Sequence, residues 1–187
     1  MDYQQMFEYN RLVRSSFLDV LAELPWSEVV TDREASFYSL RNIFLHTLDV
    51  EELLIHHLLQ GTLQNRIRHS FDDFNDIESI RNRTIETDRK TEIFLENLTP
   101  DRLNKIIEFP FEDRPSVLLT VEDVLVQNLT EQLHHRGELI GLLWQMDIEP
   151  PNMEWLWYVD EANHGRTEKR TLTSNRPKNP KSSTSQQ

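Results

Sequence analysis

Residues 3–24 carry Tyr3, Met6, Asn10, Val13, Phe17, Val20, Leu21 and Leu24 at helical spacing, one stripe of an amphipathic helix. Pro25 ends it, because the residue before a proline is driven out of the helical region. A second helix is expected from about Ser36 to Gln60, with Leu40, Ile43, Phe44, Val50, Leu53 and Leu54 inward and Gly61 as its stop signal. A third, roughly 76–97, has Ile77, Ile80, Phe94, Leu95 and Leu98 at its ends. Its middle is polar, with Thr84, Thr87, Asp88 and Thr91 where a core is normally apolar. Thr99-Pro100 reads as an N-cap and first-turn proline. Residues 105–119 contain two prolines and short β-prone pieces, the pattern of a long irregular crossover with a small hairpin. Thr120-Val-Glu-Asp123 is a capping-box-like start for a last helix running to about Met146, with Pro150-Pro151 beyond it. Four long helices and one long connection predict an all-α protein, a four-helix bundle with the crossover before the last helix.

Composition limits the chemistry. The 187 residues include no cysteine, so disulfides, thiolate ligands and cysteine nucleophiles are excluded. A metal would be held by histidines and carboxylates, and thiol chemistry would need a thiol from the substrate. The formal charge is −12, unevenly spread. Residues 161–187 carry six Lys or Arg against two Glu, a balance of +4 that leaves −16 on the first 160 residues. An acidic body argues against nucleic-acid binding, which needs clustered Lys and Arg on phosphates. The last stretch has almost no apolar residue, so residues 161–187 read as a polar, basic, disordered tail behind a bundle spanning 1–160. No apolar run is long enough to cross a bilayer, and the polar, acidic N-terminus is not a secretory signal. The expected location is the cytoplasm. Trp144, Trp155, Trp157 and Tyr158 are expected to lock the final segment down.

The chemistry concentrates near the end of the last helix. Glu131 and His135 are four apart, one turn from each other on one face. Val124, Asn128, Leu139 and Leu142 share that stripe, so the pair points inward. A buried carboxylate wants a cation, a proton or a donor. His46 is also inward, on the stripe of Ile43, Val50 and Leu53. Two helices that each present inward ligands are how bundles build metal sites. Spacing alone equally fits a hydrogen-bonded core histidine and a simple i,i+4 contact.

Three further stretches resemble the DinB/YfiT-like family of four-helix bundles. Ser39-Leu-Arg-Asn-Ile-Phe-Leu-His46 looks like its second-helix ligand motif, and Leu133-His134-His135-Arg136-Gly137-Glu138 like its HRGQ-type motif. Leu142 to Pro151 resembles its usual exit from the last helix, and the likeness covers about residues 1–158. The resemblance implies a divalent metal (Zn, Ni, Fe or Mn) held by His46, Glu131 and His135. Glu131 stands where the family's middle histidine is usual, which adds negative charge. His134 points about 100° away and is a poor substitute. The resemblance also implies thiol S-transfer or hydrolysis, with a small thiol or other small molecule as substrate.

Other residues carry two readings each. Glu138 can act as a catalytic base, orient a ligand, or simply face solvent. Arg136 is either an anion clamp or, preferably, a partner of acidic neighbours. Asp49 and Asp88 can orient His46 from behind. His56, His57 and His69 are assigned to surface or packing roles. Gly137 and Gly141, four apart inside a helix, call for close approach of another helix, within the chain or across a homodimer. The competing function is a non-catalytic stress-response or interaction bundle with a structural metal site.

Overall fold

The computed structural model describes residues 2–111, 113–152 and 154–164. The chain is mostly helical, with one small two-stranded sheet. It divides between residues 153 and 154 into two units. No helix among the described residues is long and apolar enough to cross a membrane.

Helix α1 (Tyr3–Ala22) starts at Asp2, whose carboxylate accepts from the Gln5 backbone N–H. It ends as expected before Pro25, and the short α2 (Trp26–Val30) follows. Helix α3 (Leu40–Glu51) starts later than the expected Ser36. Ser39 is its N-cap, accepting from Asn42 N–H, because residues 33–38 are tied into a tight loop instead. In that loop Arg33 N–H donates to the Tyr38 carbonyl at 2.7 Å, and Glu34 and Tyr38 take left-handed φ of 55° and 72°. Past Glu51 the helix widens into a π-helical stretch, Glu52–Leu58, which places Leu54, Ile55, His56 and Leu58 all inside. Gly61, at φ 68°, supplies the left-handed residue after it, as its position in the sequence predicts.

Helix α4 (Ile77–Glu96) is capped by Asp76. Thr99 and Pro100 open the single-turn α5 (Pro100–Leu103) as expected. The crossover then forms the small hairpin, β1 (Ile106–Phe109) antiparallel to β2 (Val117–Thr120), with Ile106 opposite Thr120. Thr120 and Asp123 make both bonds of a capping box, and α6 (Val121–Gln145) runs from there. The four long helices contact one another in a closed ring: α1 with α4, α4 with α3, α3 with α6, and α6 with α1. Helix α7 (Trp155–His164) belongs to the second unit, where the Trp155 and Tyr158 rings sit 5.2 Å apart. Residues 161–164 therefore close a helix, and the rest of the expected tail lies outside the described residues.

The interior is built in layers. One apolar cluster joins Val13, Phe17, Leu21, Ile43, Phe44, Leu48, Ile80, Leu139 and Leu143. A second joins Tyr3, Phe7, Leu54, Ile55, Phe94, Leu95, Val121 and Leu125. Between the stretches feeding the two clusters, every long helix contributes buried polar residues: Asn10 and Arg14, Thr47 and Glu51, Thr87 and Thr91, Asn128 and Gln132. The polar middle of α4 is thus part of a shared layer. Arg14 pairs with Glu51, and with Asp88 at 2.6 Å. Thr91 donates to Glu51 at 2.6 Å and accepts from His56 Nε2 at 2.9 Å. The single Thr91 proton is committed to Glu51, so His56 carries its proton on Nε2. His56 has the packing role expected of it.

Candidate metal centre

Helices α3 and α6 bring His46, Glu131 and His135 together. One ligand atom from each lies within 4.8 Å of the others, a group able to hold a metal ion. The two caps fix the phase: Ser39 starts α3 seven residues before His46, and the Thr120 box starts α6 fifteen before His135. The His46 and His135 rings approach edge to face at 4.6 Å. His135 is buried, while His46 and Glu131 are half-buried.

The protons are placed for ligation. Glu138 accepts from the Ser36 backbone N–H at 2.7 Å and from the Ser36 hydroxyl at 2.6 Å. Burial acts to raise the Glu138 pKa, but the Ser36 and His135 bonds outweigh it and leave the group below the usual carboxylate range. Its ionised Oε2 lies 3.2 Å from His135 Nδ1, so that nitrogen carries the proton. The other ring nitrogen, Nε2, faces Glu131 Oε2 at 3.5 Å. Burial first, and His135 second, push the His46 pKa down to about 4, against the upward pull of Glu131 and Glu138. His46 is therefore neutral at pH 7. Phe37 stacks on it at 3.9 Å and meets His135 edge-on at 5.4 Å. Gln127 donates to Glu131 Oε1 at 2.9 Å, leaving Oε2 toward the histidines.

Ser36 and Phe37 are the residues that sequence reasoning missed. The only local signal was Asp32, whose carboxylate accepts from Glu34 N–H at 2.9 Å and starts the turn. Several expectations need correction. Asp49 and Asp88 do not orient His46: Asp49 pairs with Arg83 and Asp88 with Arg14. Arg136 is not paired with an acid among the described residues. It is buried, donates to Asn10 Oδ1, and its guanidinium sits 5.5 Å from the Tyr9 ring centroid. Neither Gly137 nor Gly141 receives another helix of the described chain, since a Cβ at either would meet nothing within 4 Å. His134 is exposed, as its offset from His135 predicts.

A mostly helical protein with two histidines and a carboxylate converging between two of its helices defines a metal-competent helical scaffold. The chain belongs to the DinB family, whose sequence profile matches residues 1–171. Among curated proteins, none matches the chain significantly.

Proposed function

We propose that this DinB-family protein is a four-helix bundle that binds one divalent metal ion through His46, Glu131 and His135 and uses it in thiol S-transfer or hydrolysis on a small substrate. The observation that carries the reading is the pairing of a converged ligand set with a fixed tautomer: Glu138 holds the proton on Nδ1 of His135 and so presents Nε2 to the site. Such carboxylate–histidine pairs are the usual support of metal-ligating imidazoles. A neutral His46 and the Glu131 carboxyl suit a divalent cation, and the absence of thiolates suits Zn, Ni, Fe or Mn alike. Three protein ligands leave room for water or substrate, and a bound ion supplies Lewis acidity that lowers the pKa of a water or thiol.

Within that reading Glu138 is a positioning residue. Both its oxygens already accept hydrogen bonds, which favours this role over the catalytic base that its place in the motif also allowed. Phe37 covers one face of His46. The proposal includes a homodimer. Gly137 and Gly141 each cost about 1 kcal/mol relative to Ala in a helix interior, and no neighbour in the described chain explains them. Leu133, one turn before Gly137, is 56% exposed.

Elemental analysis of the purified protein tests the metal reading first. About one divalent ion per chain, lost in His46→Ala and His135→Ala, is the expected result. Protein that stays metal-free after metal-replete preparation overturns it. A screen of thiol-transfer and hydrolase substrates, with and without metal, then separates an enzyme from a bundle whose metal only stabilises it. Light scattering of the protein and of Leu133→Glu tests the dimer.

A further inference from the structure

The two histidines of the site are not supported alike. A helical backbone limits the first side-chain torsion of a histidine, but the second is broad, so a neighbour must select the ring orientation. For His135 that neighbour is Glu138, through the bond to Nδ1. For His46 no hydrogen bond from the described residues reaches either ring nitrogen. What lies against it is Phe37, stacked at 3.9 Å between ring centroids and 20° between planes.

Phe37 is itself held from several sides. Its ring meets His135 edge-on at 5.4 Å and Phe71 at 6.2 Å, with planes 67° and 88° apart. Phe71 opens a single 3-10 turn, Phe71–Asp73, that the Ser70 capping box fixes. The backbone of Phe37 is closed into the loop by Ser39 N–H, which donates to its carbonyl at 2.9 Å, and by Arg33 N–H to the Tyr38 carbonyl. Glu34 and Tyr38 are both left-handed without being glycine. Such positions persist where the surroundings fix them, and they concentrate at functional sites. Ser36, the residue before Phe37, bonds Glu138 twice. One loop therefore reaches both imidazoles, His135 through Glu138 and His46 through Phe37.

We propose that Phe37 is a positioning residue whose ring face selects the His46 orientation that meets Glu131 and His135. The proposal rests on the metal reading of that site. The stack also suits a loaded site. A metal-bound imidazole is electron-poor, and the face of a phenyl ring is its electron-rich side.

Cobalt(II) is the probe, because its visible spectrum reports both binding and ligand geometry. The full chain should bind one ion. Phe37→Leu should weaken binding by about 10–100-fold, the usual effect of losing the support of a ligand, and should alter the cobalt spectrum. Phe37→Tyr keeps the ring and should restore wild-type affinity and spectrum. A role in packing alone would lower the Tm of Phe37→Leu without moving affinity or spectrum. Equal affinity in wild type and Phe37→Leu overturns the proposal, as does a folded Phe37→Tyr that binds as weakly as Phe37→Leu. If Phe37→Leu does not fold, Phe37→Met, apolar and without a ring, takes its place. Crystals of the metal-free proteins give a second readout: His46 should keep one orientation in wild type and Phe37→Tyr and leave it in Phe37→Leu. An unchanged His46 in Phe37→Leu overturns the positioning role whether or not metal binds. Wild-type protein that takes up no cobalt overturns the metal reading instead, so the two failures are distinct.

Discussion

Ser36 and Glu138 stand 102 positions apart and are joined by two hydrogen bonds, from the serine N–H at 2.7 Å and its hydroxyl at 2.6 Å. The carboxylate so fixed bonds His135 Nδ1. A loop before one helix therefore sets the tautomer of a histidine on another. Glu138→Gln and Ser36→Ala should each weaken metal binding, by about 10–100-fold for Glu138→Gln, the usual effect of losing such a support. Competition with a chromophoric chelator measures it, with circular dichroism as the check on folding. Unchanged affinity in Glu138→Gln would remove the positioning role.

Glu131→His places an imidazole where the family resemblance expects one. The variant should still bind one ion per chain and should shift preference toward Ni and Zn over Mn, because imidazole suits the former and carboxylate the latter. Titration with each metal reads the order. The same preference in both proteins would mean that Glu131 is not a ligand.

Asp88 makes stability depend on pH. Burial, the largest effect, raises its pKa to about 6, against the pull of Arg14. The folded state then holds the proton more tightly than the unfolded chain, whose value is 3.8. Its contribution is complete below about pH 4 and is lost as pH rises through about 6. Asp88→Asn should remove this term. The stability of the wild type relative to the variant should fall between pH 4 and 7, by at most about 3 kcal/mol. Urea unfolding across that range gives the difference, and a flat difference would show that Asp88 does not titrate there.

Arg14 and Glu51 form a buried pair, Glu51 being 1% exposed. Arg14→Met leaves that carboxylate without its guanidinium and should cost about 3–5 kcal/mol. Adding Glu51→Gln should recover most of the loss. Urea midpoints of the single and double variants test the coupling, and additive costs would contradict it.

Asn128 is fully buried, and neither its Nδ2 nor its Oδ1 has a partner among the described residues. Asn128→Leu keeps the branched skeleton, with larger methyl groups in place of O and NH2, and removes two unpaired polar atoms. It should stabilise the fold by roughly 1–2 kcal/mol, the scale of an unsatisfied buried group. A loss of stability would mean that the amide has a role the protein contacts do not show.

Helix starts and stops are legible in the sequence wherever the signal is local. Pro25, Gly61, Thr99-Pro100 and the Thr120 box act within a few residues of themselves, so their physics is complete in a short stretch of chain. The inward faces of His46, Glu131 and His135 followed from period 3.6 for the same reason. The start of α3 is not legible in the sequence, because Ser36 is a good helix starter locally but is held by Glu138 across the fold. Arg14 falls on the inward stripe by period, four after Asn10 and three before Phe17, but its charge argues for solvent, and only Glu51 across the fold accounts for its burial.

The sequence by itself determined the four long helices, the hairpin crossover and the residues that converge between α3 and α6. Helical spacing and capping are short-range, and they repeat along the chain. Only the tertiary structure decided which polar groups satisfy which. Asp49 belongs to Arg83, Asp88 to Arg14 and Glu138 to Ser36 and His135. Each of those choices is a competition among many charged groups, and it is settled by distance and burial after the helices have packed.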